Sequence, residues 1–310
     1  MKFALLCPGQ GAQFMGMGKD FFAQYPPARE VYETADAILG FRLSALCFNG
    51  PDAQLQSTDN AQAAIFVTSM AIYKTLLAEN KLPAVPDFIA GLSLGEYTAL
   101  CIAGVFSFED GLKLVRARGE LMQAAATAAP STMLALVGAD APLAEEICRG
   151  AADSGIIVPA NFNAPGQIVL SGAVPACQKA AQIAEARGVR AVLLSVAGAF
   201  HSPFMQSAAD GMNRVLAGTH FAAASCSVIS NVTGQPHGNG EAEIKTLLVR
   251  QIIAPVRWYQ SMEYLKHQGV DRYMELGPGR VLTGLHKRID RRAVLVNVAT
   301  VDALKDLTPG

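Results

Sequence analysis

The sequence predicts an α/β fold in which a parallel-sheet body is interrupted by a smaller unit, and three observations carry this reading. Short apolar runs alternate with longer helical patterns in both outer parts of the chain, the rhythm of parallel strands joined by crossover helices. The middle of the chain instead runs β-α-β-β-α-β, the ferredoxin-like plan. The 310 residues are 51% hydrophobic and 16% charged, with a mean hydropathy of +0.26, so a large core can be filled.

Taken in order, residues 3–7 form a first strand closed by Pro8 and Gly9, too short an apolar run for a signal-peptide core. Helices follow through about Leu77. The most apolar later stretch, 64–77, is interrupted by Lys74 and falls short of the roughly 18 to 20 residues a membrane span requires, so no membrane segment is expected. A strand at 87–91 leads into a helix from about Gly95. The central unit reads as strand 133–137, helix 142–148, strands 156–161 and 167–171, helix 174–186 and strand 189–195. After it, strand 227–230, helix 241–251, strand 272–276, a Gly-Pro-Gly turn, helix 281–289 and strand 293–298 restore the first rhythm. The expected division is therefore a body of residues 1–125 and 197–310 and an insert of 126–196, with a ligand cleft between them.

Net charge is −1, the pI is about 6.5, and Lys and Arg are scattered, so the field that holds a phosphate backbone is missing and nucleic acid is excluded as a partner. The six cysteines form no Cys-x-x-Cys pair and no His stands at ligand spacing, so no metal site is expected. Separate buried thiols fit a reducing cytoplasm.

The sharpest local signal is Gly91-Leu92-Ser93-Leu94-Gly95, between a strand and a helix. Gly-x-Ser-x-Gly in that setting is a nucleophile elbow: small flanks allow a sharp turn that lifts the hydroxyl out of the sheet, and the helix aims its N–H groups at the site. The body is α/β-hydrolase-like in this respect. A plain strand-to-helix turn with an incidental serine is the alternative. A serine needs a base, and of five histidines His201 sits in a loop past a strand end, where sites are built. His220, His237, His267 and His286 read as solvated side chains. The turn Pro8-Gly9-Gln10-Gly11-Ala12-Gln13 also follows a strand. It fails as a dinucleotide fingerprint because Phe14 takes the third Gly position, and it fails as a P-loop at Gln13 and Asp20, so a second oxyanion donor fits it better. Arg116 and Arg118 follow a helical stretch; either is a surface charge or a guanidinium that grips a substrate carboxylate.

Together these motifs resemble the malonyl-CoA:acyl carrier protein transacylase family over essentially the whole chain. The match includes the Pro8–Gln13 turn, the elbow, Arg118-Gly119-Glu120-Leu121-Met122-Gln123, Asn161-Phe162-Asn163-Ala164-Pro165-Gly166-Gln167 and Gly198-Ala199-Phe200-His201-Ser202-Pro203. It continues through Asn231-Val232-Thr233-Gly234, Gln251 ahead of Pro255-Val256-Arg257-Trp258, and Glu275-Leu276-Gly277-Pro278-Gly279. The resemblance implies Ser93 as nucleophile, His201 as base and then acid, and the Gln251 carbonyl orienting the imidazole. It implies the N–H groups of Gln10 and Leu94 as the oxyanion hole, Arg118 on the malonyl carboxylate, and Asn161 and Asn163 in one wall of the cleft. Phe200 matches malonyl-selective members of related polyketide acyltransferases, where a bulky ring disfavours branched units. One departure stands out: the family usually has His before the nucleophile, and this chain has Leu92.

The implied substrates are malonyl-CoA and a holo acyl carrier protein of fatty-acid or polyketide synthesis, with no metal and no organic cofactor. Lys113, Arg116, Lys287, Arg288, Arg291 and Arg292 are candidates to meet an acidic carrier. Two rivals share the same residues: a hydrolase that clears acyl groups from carrier proteins, and a non-catalytic docking module. A general α/β-hydrolase fits less well, because its chain order puts an acid between Ser and His.

Overall fold

The computed structural model describes residues 2–82, 86–238 and 240–308. Nine strands are present among them: β1 Lys2–Cys7, β2 Phe88–Gly91, β3 Ser131–Val137, β4 Ile157–Ala164, β5 Gln167–Ala173, β6 Arg190–Leu193, β7 Ser227–Ile229, β8 Val270–Leu276 and β9 Val294–Val298. They form a five-stranded sheet ordered β7-β2-β1-β8-β9 and a four-stranded sheet ordered β4-β5-β3-β6.

Every pairing in the larger sheet is parallel. From Ala4 to Cys7, β1 is fully buried, as a strand covered by helices on both faces must be. Because Cys7 pairs with Gly91, β1 and β2 end side by side. The two glycine-containing turns that follow them therefore leave the sheet together, at the carboxyl edge where open α/β sheets place their ligands.

The run judged too short to span a membrane is in fact a 21-residue helix, Thr58–Ala78. It is long and apolar enough to cross a bilayer by length and composition, so the length argument fails. Burial explains the helix instead: 83% of its most apolar window is buried inside the fold, where it packs on the helix Phe108–Ala128. Two of its buried hydroxyls are satisfied within the helix, those of Thr68 and Thr75 donating to the carbonyls of Ala64 and Ala71 at 2.7 and 2.8 Å.

In the smaller sheet β3 pairs antiparallel with β5 from Ser131↔Ala173 to Val137↔Gln167. The helices Ala141–Ala151 and Val174–Ala186 cover it and share a core of their own around Leu134, Leu136, Ile147, Leu170 and Ala180. The element order and the strand order are those of the ferredoxin-like plan. The unit is tied to the larger sheet's side of the molecule by backbone bonds, Phe162 N–H to the Val256 carbonyl at 2.9 Å and Val256 N–H to the Ala160 carbonyl at 2.8 Å. Register shifts in β4 between Pro159 and Asn161 and between Phe162 and Ala164 interrupt its pairing with β5 around these residues.

Candidate active site

Ser93 stands between β2 and the helix Gly95–Ile102 with φ 54°. A residue with a side chain holds this left-handed conformation only where its surroundings over-determine it. Absent side chains make the turn possible: a Cβ on Gly91 would fall 1.9 Å from the Gly95 carbonyl carbon, and one on Gly95 would fall 2.1 Å from the Cys7 oxygen. Gly9 closes the other side, since a Cβ there would lie 2.2 Å from the Leu92 carbonyl oxygen. The turn after β1 thus packs backbone to backbone on the elbow, and Gln10 and Ser93 line the same cavity. The Ser93 N–H donates to Asn231 Oδ1 at 2.6 Å, and its carbonyl accepts from Gln251 Nε2 at 2.8 Å. Among the described residues, the N–H groups of Gln10 and Leu94 donate to no protein acceptor, so two donors beside the serine are unused.

The Ser93 Oγ lies 2.8 Å from His201 Nε2. His201 is also left-handed, φ 57°, and its Nδ1 lies 2.8 Å from the Gln251 carbonyl oxygen. That oxygen can only accept, so Nδ1 carries the ring proton and Nε2 offers its lone pair to the serine hydroxyl. Burial, and then the nearby Arg118 cation, lower the His201 pKa to about 4. The ring is neutral at pH 7, the form a general base requires.

Arg118 is 1% exposed. Its Nη1 donates to Gln62 Oε1 at 2.6 Å, and its Nη2 donates to Ser93 Oγ at 3.1 Å and Gln251 Oε1 at 2.9 Å. The Nε is buried without a partner among the described residues, the guanidinium carbon lies 5.4 Å from the Tyr97 ring centroid, and burial lowers the arginine's pKa. None of the ion pairs among the described residues includes Arg118. A buried cation with only neutral partners is a site suited to an incoming carboxylate. Arg116, by contrast, faces outward and is engaged with Glu120 at 2.6 Å and Asp59 at 3.7 Å.

A cavity of about 570 Å³ opens between the two sheets' sides, with Ser93 and His201 in its wall. Asn161, Asn163 and Phe200 line it, as does Leu92, among apolar neighbours that include Met122, Met133 and Val196. Asn163 Oδ1 is buried with no partner among the described residues. Ser93, His201, Gln251 and Arg118 form one hydrogen-bonded cluster, Gln10, Asn161, Asn163 and Phe200 line its cavity, and Leu94, designated for its N–H, follows Ser93 with its side chain buried.

The acyl transferase domain family matches residues 4–301. The chain belongs to the acyl transferase family. It is 40% identical over 306 residues to the malonyl CoA-acyl carrier protein transacylase of Bacillus subtilis (strain 168), covering 98% of this chain and 95% of that protein. The solved acyl-carrier-protein-S-malonyltransferase of Bartonella henselae superposes with a TM-score of 0.95 at 40% identity, covering 98% of both chains. A malonyl-transacylase solved in complex with a type II PKS acyl-carrier protein superposes at 0.94 with 36% identity, again covering 98% of each. The resemblance drawn from scattered motifs thus holds over the whole chain.

Several residues of this acyltransferase's site carried no mark in the sequence reading. Glu96 is fully buried, accepting from His237 Nε2 at 2.6 Å, Gln251 Nε2 at 2.7 Å and the Asn231 N–H at 3.1 Å. Asn231 Nδ2 also donates to the Gly91 carbonyl at 2.7 Å; only its place in the Asn-Val-Thr-Gly motif pointed to it. Two of the histidines expected to be solvated have buried side chains. The His237 side chain is 3% exposed because the segment after β7 folds back beneath the elbow, and His286 is 1% exposed with its ring centroid 4.1 Å from that of Tyr273. His220 and His267 are exposed as expected.

Proposed function

We propose that this acyltransferase moves malonyl from malonyl-CoA to the phosphopantetheine thiol of a holo acyl carrier protein, through an ester on Ser93, in fatty-acid or polyketide synthesis. One observation carries the reading: Ser93 Oγ lies 2.8 Å from an imidazole nitrogen and 3.1 Å from a buried guanidinium. Nucleophile, base and carboxylate receptor thus converge on one atom.

The Ser93 hydroxyl gives its proton to His201 Nε2 as Oγ bonds to the thioester carbon. The Gln10 and Leu94 N–H groups receive the oxyanion, and the Gln251 carbonyl stabilises the imidazolium through Nδ1–H. As the carbon–sulfur bond breaks, His201 returns the proton to the departing CoA sulfur. The carrier thiol then gives its proton to His201 and attacks the ester, and Ser93 recovers its hydrogen. Arg118 holds the malonyl carboxylate, Asn161 and Asn163 border the acyl chain, and the Phe200 ring disfavours branched groups. The relatives' printed activities support the same substrates. Residues 126–196 act as a cap on a body of 1–125 and 197–310. Lys287, Arg288, Arg291 and Arg292 are exposed beside the helix Val281–Ile289, whose Val281 and Leu285 line the cavity, which suits an acidic carrier. Six unpaired cysteines suit a reducing cytoplasm.

The test is intact mass after incubation with malonyl-CoA. One malonyl group should appear on the wild type and none on Ser93→Ala, and holo carrier protein should discharge it as carrier-bound malonyl. Free malonate as the main product would make the protein a hydrolase. No added mass would leave a binding module.

A further inference from the structure

A fully buried carboxylate behind the elbow takes no part in the transfer chemistry, yet two of its three partners, Gln251 and Asn231, bond directly to Ser93. Glu96 Oε2 accepts from the Gln251 side-chain nitrogen and from the Asn231 N–H, while Oε1 accepts from His237 Nε2. The orientation of the Gln251 amide follows from its neighbours. Arg118 has donors only, so the amide oxygen must face it at 2.9 Å, and the Glu96 carboxylate and Ser93 carbonyl have acceptors only, so the amide nitrogen must face them. Glu96 supplies the charge-assisted bond that fixes this choice.

We propose that Glu96 is a positioning residue that holds the Gln251 carboxamide in one orientation, and through it aims Arg118 at a carboxylate-bearing acyl group. The inference rests on malonyl transfer through Ser93. With the acceptor removed, Gln251 Nε2 keeps only the Ser93 carbonyl and a 3.5 Å contact with Asn231. The orientation then rests on the Ser93 carbonyl and Arg118 without a charged acceptor, so the amide is held less firmly and Arg118 with it. His237 presents an N–H to Glu96 and closes the carboxylate's remaining side.

The experiment measures kcat/KM for malonyl-CoA and acetyl-CoA in Glu96→Leu, Glu96→Asp and Glu96→Gln, each checked for folding by circular dichroism. Glu96→Leu should lower the malonyl-to-acetyl ratio about tenfold or more, the cost of one charge-assisted hydrogen bond. Glu96→Asp, which withdraws the acceptor without removing it, should give a smaller fall and keeps the test open if the leucine variant does not fold. Glu96→Gln retains one acceptor oxygen without the charge and should restore part of the ratio. In a Gln251→Ala background, which keeps the backbone carbonyl on His201, Glu96→Asp should change the ratio no further. Folded variants with the wild-type ratio, or an additive effect in the double variant, would overturn the role of Glu96. A wild type with no malonyl preference, or no ester on Ser93, would instead overturn the reading on which it rests.

Discussion

Replacing Arg118 with alanine separates recognition of the acyl group from the chemistry at Ser93. The guanidinium is 1% exposed and bonds Gln62, Gln251 and Ser93, all neutral. A bound malonyl carboxylate would receive a bidentate pair from it, worth about 3 kcal/mol at the lower end for two hydrogen bonds to a charged group. By transition-state arithmetic this is roughly two orders of magnitude in kcat/KM for malonyl-CoA. Acetyl-CoA has no carboxylate and escapes that loss. Arg118 also donates to Ser93 Oγ, so part of the damage falls on both substrates, and the ratio cancels it. The assay is kcat/KM for the two CoA esters with one holo carrier protein, with thermal melting as a control on the fold. A fall of about a hundredfold in the malonyl-to-acetyl ratio is expected. Equal losses for both esters would make Arg118 a structural residue and remove the main argument for malonyl.

The Gly9→Ala variant should lower kcat about a hundredfold with little change in CoA-ester binding. Its Cβ would lie 2.2 Å from the Leu92 carbonyl oxygen, so the backbone must shift and carry the Gln10 N–H away from the oxyanion; an unchanged kcat in single-turnover kinetics would dismiss Gln10 as a donor. Stability should fall in acid through two buried histidines. Burial, aided at His201 by Arg118, lowers the pKa of His201 and of His286 to about 4, below the ordinary value of about 6.5. The unfolded chain binds protons in this window that the folded chain does not, so each histidine contributes fully above about pH 6.5, and its contribution is lost as pH falls toward 4, roughly 3 kcal/mol per group. In urea melts between pH 6.5 and 4, His286→Leu should therefore lose about 3 kcal/mol less than the wild type. Parallel losses would show that the imidazole is not kept neutral.

The sequence displays the elbow because its requirement is local: Gly91 and Gly95 must lack side chains for the chain to turn between β2 and its helix, and five consecutive letters record it. The alternation of strands and helices is legible for the same reason, since each element's period is written within itself. Partners distant in sequence leave no such record. Glu96 reads as an ordinary acid in the first turn of a helix, and its burial follows from His237, 141 residues away. His237 and His286 were misread as solvated because polar neighbours in sequence do not reveal what a folded segment covers. Arg118 had no local mark to set it apart from Arg116, two residues earlier on the same helix; only the resemblance separated them, and Gln62 and Gln251 supply the physical difference. The apolar run of the helix Thr58–Ala78 reads short because Gln62 and its polar neighbours delimit it and the exposed Lys74 interrupts it, yet Gln62 is buried against that same arginine.

Ser93 and His201 both lie in the left-handed region, at φ 54° and 57°, a conformation that costs of order 1 to 3 kcal/mol at each residue and must be offset by its surroundings. The offset is visible on both sides. Asn231 and Gln251 clamp the serine's N–H and carbonyl, while Ser202 Oγ donates to the Ala199 carbonyl at 2.6 Å and Ser171 Oγ to the Phe200 carbonyl at 2.5 Å, anchoring the histidine loop. Gln251 joins the two, because its carbonyl orients the imidazole, its amide nitrogen holds the elbow and its amide oxygen holds Arg118. His201, Ser93 and Arg118 are therefore registered against one residue, so a displacement of any one of them strains the other two. That shared anchor keeps Ser93 Oγ within 2.8 Å of His201 Nε2 without the two side chains having to hold each other in place.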